Sequence, residues 1–175
     1  MGVKMEGEAW RDGGEAPAVR EGIATTHNGI RYRSRVEARW AEFFRLLGWC
    51  AFYEPFDLDG YIPDFVLHGR NERILVEVKP VSGMDDPLFK KTAAKIEKSG
   101  WEDDALIVSY FLPHAHSDHA GIGRQLLCVG WLGKPDPPWP CWRTAPFNYT
   151  KAQLGFRVTR SPIAIASLVA AARRV

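Results

Sequence analysis

The chain has 175 residues, 46% of them apolar and 25% charged, which is long enough for one well-buried core and too short for two. No apolar run approaches the ~20 residues needed to cross a bilayer, and the polar N-terminus lacks the apolar core of a secretory signal, so a cytoplasmic protein without a membrane partner is expected. A net charge of +2 does not mark a general nucleic-acid binder, but Arg31, Arg33, Arg35 and Arg39 cluster in one stretch and Lys90, Lys91, Lys95 and Lys98 in another, and local patches matter more than the total.

Residues 1–26 are rich in Gly, Glu and Ala with no apolar period and read as a flexible leader; residues 27–175 read as a single domain. From Ser34 the pattern changes. Val36, Trp40, Phe43, Phe44 and Leu47 recur at helical spacing and Gly48 stops the run, which predicts an amphipathic helix. Glu37 borders its apolar stripe, one turn from Trp40, Ala41 and Phe44, and can reach inward. Ser34 and Glu37 also stand in the S-x-x-E arrangement of a capping box, in which Glu37 would bond backbone at the helix start.

A short extended segment follows around Ala51 to Glu54, then a turn rich in Asp and Gly at Asp57, Asp59 and Gly60. Two strands are predicted near Tyr61 to His68 and Arg73 to Lys79, joined by Gly69-Arg70-Asn71-Glu72 as a hairpin turn. With Arg70 and Asn71 as a two-residue loop, Asp64 falls opposite Glu77. Pro80 disfavours helical geometry at Lys79 and keeps it extended. Asp86-Pro87 supplies an N-cap and first-turn proline for a second helix reaching about Ser99 and closed by Gly100, with Phe89, Ala93 and Ile96 buried and Lys91, Lys95 and Lys98 on an exposed face. A buried strand is expected at Ala105 to Leu112, then a polar loop, a strand at Gln125 to Leu132, a proline-rich loop at Gly133 to Trp142, and a last helix opened by Ser161-Pro162. Cys50, Cys128 and Cys141 are odd in number and widely spaced, which fits neither a disulfide framework nor a zinc knuckle, and reduced, mostly buried thiols are expected.

The chemistry concentrates in YIPDFVLHGRNERILVEVKP, residues 61–80. Alternate strand residues share a face, so Leu75, Glu77 and Lys79 point one way while Ile74, Val76 and Val78 point the other. Asp64 opposite Glu77 places two carboxylates within reach of one hard cation, and Mg2+ takes one or two carboxylates with waters and phosphate oxygens. A lysine on the same face can hold a water against phosphorus and offset developing charge.

Glu37, Pro63-Asp64 and Glu77-Val78-Lys79 together resemble the PD-(D/E)XK nuclease superfamily. Tyr32-Arg33-Ser34-Arg35, Glu37-Ala38-Arg39-Trp40, Tyr53-Glu54-Pro55 and Tyr61 to Pro80 also resemble a group of small, phage-like members. The resemblance covers roughly residues 30–112, with 113–175 as a family-specific extension. It implies an α/β, restriction-endonuclease-like fold with a mixed central sheet flanked by helices and an α-β-β-β-α-β core. It further implies a Mg2+- or Mn2+-dependent deoxyribonuclease, expected to be an endonuclease, whose products carry 5′-phosphate and 3′-hydroxyl ends. Asp64 and Glu77 would bind metal, with the Val78 carbonyl as a further ligand; Lys79 would position the nucleophile, and Glu37 would bind a second metal or a metal-bound water. Arg33, Arg35, Lys91 and Lys95 would contact DNA phosphates. DNA is the implied partner; a homodimer and phage or host replication-recombination proteins stay open as others.

Two other functions compete. His114, His116, Asp118 and His119 in HAHSDH match the H-x-H-x-D-H pattern of metallo-β-lactamase-fold zinc hydrolases. No histidine follows His119 to complete that ligand set, so the segment reads as a solvent-exposed polar loop. The third class is a nuclease-like module that binds DNA or protein without turnover. Trp139 and Trp142 could stack on bases or seal an edge of the core.

Overall fold

The computed structural model describes residues 22–69, 72–109, 114–117, 125–134, 141–146 and 162–175. The fold is mixed α/β. Among the described residues, nine strands and three helices follow the order β1 (Thr25–His27), β2 (Ile30–Tyr32), α1 (Arg35–Leu47), β3 (Cys50–Tyr53), β4 (Phe65–His68), β5 (Arg73–Val78), α2 (Pro87–Lys98), β6 (Asp104–Val108), β7 (His114–Ser117), β8 (Gln125–Lys134), β9 (Cys141–Pro146) and α3 (Pro162–Ala172). From α1 to β6 this is the expected α-β-β-β-α-β succession. The central sheet has seven strands in the order β3-β4-β5-β6-β8-β7, with β9 also paired to β8. It is mixed: β5 and β6 run parallel, joined through α2, and the other neighbours run antiparallel.

Local chemistry explains both helices that flank the site. Ser34 caps α1 by accepting from the Glu37 N–H, and Gly48 closes it in the left-handed region at φ 75°, where a side chain would be strained. Asp86 accepts from the Leu88 N–H at the start of α2, Pro87 occupies the first turn, and Gly100 follows at φ 71°. The sheet then separates two apolar layers. On one face Phe65, Leu67, Ile74, Val76, Val78, Leu106 and Val108 pack with Trp40, Phe43 and Phe44 of α1 and Leu168, Val169 and Ala172 of α3. On the other, Val66, Leu75, Ala105 and Ile107 pack with Phe89, Ala93 and Ile96 of α2 and with Tyr61, Val81 and Trp101. β5 is buried on both faces from Ile74 to Val78, which is why it reads as a nearly unbroken apolar run.

Several expectations are corrected. The leader boundary moves: Thr25 and Thr26 pair with Tyr32 and Arg31 in the β1–β2 hairpin, whose turn is Asn28-Gly29 with φ of 49° and 78°, a turn chemistry suited to hairpins. His114–Ser117 of HAHSDH is a strand, not a loop, because its backbone pairs with Gln125–Cys128 of β8; Asp118 and His119 lie outside the described residues. The proline-rich loop is shorter than expected. Gly133 pairs with Trp142 and Lys134 with Cys141, so the strands enclose residues 135–140, which carry all four prolines and Trp139 and lie outside the described residues. Trp142 seals the core edge: it and Trp131 stand edge-on to Phe89, with ring centroids 5.5 and 5.6 Å away. Cys50 is exposed rather than buried. The leader's first 21 residues, the Arg70-Asn71 loop tip and the far end of the strand expected to reach Leu112 also lie outside the described residues. No helix among the described residues is long and apolar enough to cross a membrane.

Among the described glycines, Gly130 leaves the least room for a side chain. It follows a register shift in β8, and a Cβ there would lie 2.3 Å from the Ile107 carbonyl oxygen of β6. Because that atom is backbone, Gly130→Ala is expected to lower Tm by roughly 5–10 °C, whereas Gly83→Ala, with open space at its Cβ, leaves Tm unchanged in the same thermal melts.

Candidate active site

Phe65 of β4 faces Val76 of β5, Val66 faces Leu75, and the register continues to His68 and Arg73. The Gly69 N–H donates to the Glu72 carbonyl at 2.8 Å, closing the hairpin as its sequence predicts. One step further along the same register, Asp64 and Glu77 adjoin. Both are only 2% exposed, on the α2 side of the sheet with Val66 and Leu75. Lys79 follows where β5 leaves the sheet, and its N–H donates to the Val108 carbonyl at 2.9 Å.

The carboxylates converge on the Lys79 ammonium. Asp64 Oδ2 accepts from Lys79 Nζ at 2.9 Å and from the Val78 N–H at 2.8 Å. Glu77 Oε2 is ion-paired with the same Nζ, and Glu77 Oε1 accepts from the Tyr61 hydroxyl. On the far side, Asp64 Oδ1 accepts from Arg33 Nη2, while Arg33 Nε pairs with Glu54 at 2.7 Å. Two cations thus alternate with three carboxylates, Glu54, Arg33, Asp64, Lys79 and Glu77. The Lys79 side chain is 30% exposed and gives the buried pair its opening to solvent.

Protonation follows from this packing. Burial pushes the Glu77 carboxyl above its ordinary value; neighbouring Asp64 adds to the rise, and Lys79 and Tyr61 oppose it. Burial also works against the Lys79 charge, yet the attraction of Asp64 and Glu77 outweighs it and the ammonium is held above the usual lysine value. Burial raises the Tyr61 hydroxyl, and Glu77 and Asp64 raise it further, so Tyr61 stays a proton donor to Glu77.

Glu37 stands apart from the pair. Its Oε1 accepts from the Ser34 hydroxyl at 2.8 Å, and its Oε2 accepts from Tyr53 Oη at 2.7 Å and, at 3.1 Å, from the N–H of Arg33, so the backbone partner lies one residue before that of a capping box. It reaches Asp64 only through Arg33. Of the other expected DNA contacts, Lys95 Nζ lies 5.4 Å from the Tyr61 ring centre, which puts it beside the site, whereas Lys91 and Arg35 are exposed on α2 and α1. Sequence reasoning gave no role to Tyr61, Tyr53 or Glu54. The sequence predicts Tyr61 at the start of a strand and Glu54 at the end of an extended segment, but β4 begins only at Phe65 and β3 ends at Tyr53, so alternation does not report their direction. Tyr53 carried a signal of position only, as the residue of β3 that pairs with Phe65.

No protein-family profile, curated protein or solved structure matches this chain. The site must be judged on its donors. Among the described residues no group of three or more His, Cys, Asp or Glu side chains is arranged to hold a metal. Asp64 and Glu77 offer hard oxygen donors to one shared cationic position, now taken by the Lys79 ammonium, and this fits a cation that takes few carboxylates and completes its shell with water and phosphate.

The pH dependence follows in sign. A carboxyl raised in the folded state binds its proton better folded than unfolded, so its contribution to stability is present at low pH and lost as pH rises from the ordinary carboxylate range through the raised value. At alkaline pH the buried Glu77 carboxyl is therefore a cost. Glu77→Gln, whose amide oxygen can still accept from Lys79, is expected to stabilise the protein by about 1 kcal/mol at pH 8, with the advantage vanishing near pH 4.5, the ordinary glutamate value. Paired thermal melts across that range check it.

Proposed function

We propose that this chain is a Mg2+- or Mn2+-dependent DNA endonuclease of the PD-(D/E)XK type, with the restriction-endonuclease-like arrangement of that superfamily as its core. The observation that carries this reading is the convergence of two buried carboxylates, from adjoining strand ends, on one lysine ammonium. A structural ion pair needs one carboxylate per cation. Here Glu54, Asp64 and Glu77 share two cations, Arg33 and Lys79, and the one negative charge in excess costs stability unless a further cation neutralises it.

In this reading Asp64 and Glu77, with the Val78 carbonyl, would hold the metal, which would supply a lowered pKa for water and positive charge against the phosphate. Lys79 Nζ donates to the attacking water and orients it toward phosphorus. As the water oxygen bonds to phosphorus and the P–O3′ bond breaks, the water gives up a proton to solvent and the departing O3′ takes one from solvent, leaving 5′-phosphate and 3′-hydroxyl ends. Tyr61 holds Glu77 by its Oε1 so that Oε2 faces the reacting centre. Glu37 acts by fixing the backbone of Arg33 at the start of α1 rather than by touching substrate. Arg33 and Lys95 border the carboxylates and serve the DNA backbone, with Lys91 and Arg35 further out. Such contacts neutralise phosphates, so affinity falls steeply with salt and depends little on sequence.

The test is cleavage of linear, circular, single-stranded and branched DNA with Mg2+, Mn2+, Zn2+ or EDTA. Wild type is expected to cut circular DNA with Mg2+ or Mn2+ and not in EDTA. Glu77→Ala is expected to abolish cutting, and Lys79→Ala to slow it roughly 10²–10⁴-fold, with circular dichroism unchanged. Absence of cutting on every substrate overturns the enzyme in favour of a binding module, and Zn2+-dependent hydrolysis indifferent to Lys79 transfers the chemistry to the histidines of HAHSDH.

A further inference from the structure

The two oxygens of Asp64 are held in different ways. Oδ2 accepts from the Val78 backbone N–H and from Lys79, whereas the one donor to Oδ1 among the described residues is the Arg33 guanidinium. The Val78 N–H belongs to the end of β5 and cannot leave. Arg33 can move only at its far end: its backbone N–H is bonded to Glu37 and Tyr53, while its side chain is 56% exposed and keeps Glu54 as a second anchor.

A guanidinium presents the same planar fork to a carboxylate and to a phosphate diester, and grips both in charge-assisted bonds. A DNA phosphate arriving at Arg33 therefore competes with Asp64 for it, and a cation arriving at Asp64 competes with Arg33 for Oδ1. We infer that Arg33 couples DNA binding to metal loading: without DNA it covers Asp64, and a substrate phosphate draws it away and frees Oδ1 for the cation. The inference rests on the nuclease reading of the site. Its arithmetic is that of a ligand whose competent state is a minority: affinity is weakened by the fraction of molecules in which Oδ1 is free, and the first ligand to enlarge that fraction favours the second. The consequence for the cell is a site that stays poorly loaded, and so poorly active, until DNA occupies it.

Ca2+, a hard cation that takes carboxylate oxygens, serves as the probe, titrated calorimetrically into the full chain with and without a short DNA duplex, the duplex alone being subtracted. Without DNA, Arg33→Gln is expected to bind Ca2+ roughly tenfold tighter than wild type, the scale of one lost hydrogen bond to a charged group. Arg33→Lys, which keeps the charge but not the fork, is expected to fall between them. The duplex should raise Ca2+ affinity much more in wild type than in Arg33→Gln. Tightening in the glutamine variant with none in the lysine variant would reduce the effect to loss of a nearby charge and overturn the inference, as would equal gains from the duplex in both proteins. Asp64→Asn separates this failure from that of the nuclease reading. Ca2+ binding that Asp64→Asn leaves undiminished overturns the metal site and the coupling together, whereas Asp64-dependent binding indifferent to Arg33 overturns the coupling alone.

Discussion

Two carboxylates buried side by side repel each other and lose their hydration, and the structure around Asp64 and Glu77 is organised to offset that cost. The Val78 N–H and the adjacent Lys79 ammonium, the Tyr61 hydroxyl and the Arg33 guanidinium come from three different places in the chain and end on four carboxylate oxygens. None of these donors is interchangeable. The backbone group sets where Asp64 sits, the phenol sets how Glu77 is turned, and the two cations balance charge while keeping a face toward solvent. The geometry is possible because β5 is an interior strand whose last residues emerge from the sheet: the face that buries Leu75 against α2 goes on to present Glu77 and then Lys79.

The start of α1 is the second support. Ser34 caps the helix by accepting from the Glu37 N–H, and the Glu37 carboxylate, bonded to the Ser34 hydroxyl, also holds Tyr53 and the Arg33 backbone. A helix terminus would otherwise leave its first N–H groups unpaired. Here Ser34 Oγ satisfies the Glu37 N–H, and the Glu37 carboxylate beside it fixes the root of the arginine that reaches Asp64. Glu54, at φ 44° in a region unfavourable to non-glycine residues, holds the other side of that arginine. Helix capping and site assembly are thus one network, which explains how a glutamate at helical spacing from the core can be buried and still make no direct contact with Asp64 or Glu77.

What could be read from the sequence was whatever has a local cause. Both caps of α1 and α2, the glycines beyond them and the β4–β5 register follow from a few neighbouring residues, and the register alone brings Asp64 to Glu77. The β1–β2 hairpin had an equally local signal in Asn28-Gly29, but the polar residues around it hid the strands. β7 and β9 had none: His114–Ser117 and Cys141–Pro146 become strands because β8 offers both of its edges, a tertiary cause that outweighs their composition. Tyr61 and Glu54 were silent for a related reason. Their partners lie 16 and 21 positions away in the chain, and no period in the sequence encodes a reach across a turn.

The parallel pairing of β5 with β6 has a further consequence, for the order in which the protein assembles. The β4–β5 hairpin closes through a short loop, so its contacts are local and cost little chain entropy, while β6 reaches β5 only after α2 has crossed the sheet. Asp64 and Glu77 therefore meet while still hydrated. Their desolvation falls on the later step, when β6 and α2 dock and close the sheet over them. The hairpin that defines the chemistry is the quick part of folding, and the charge it carries sets a tariff on the slow part.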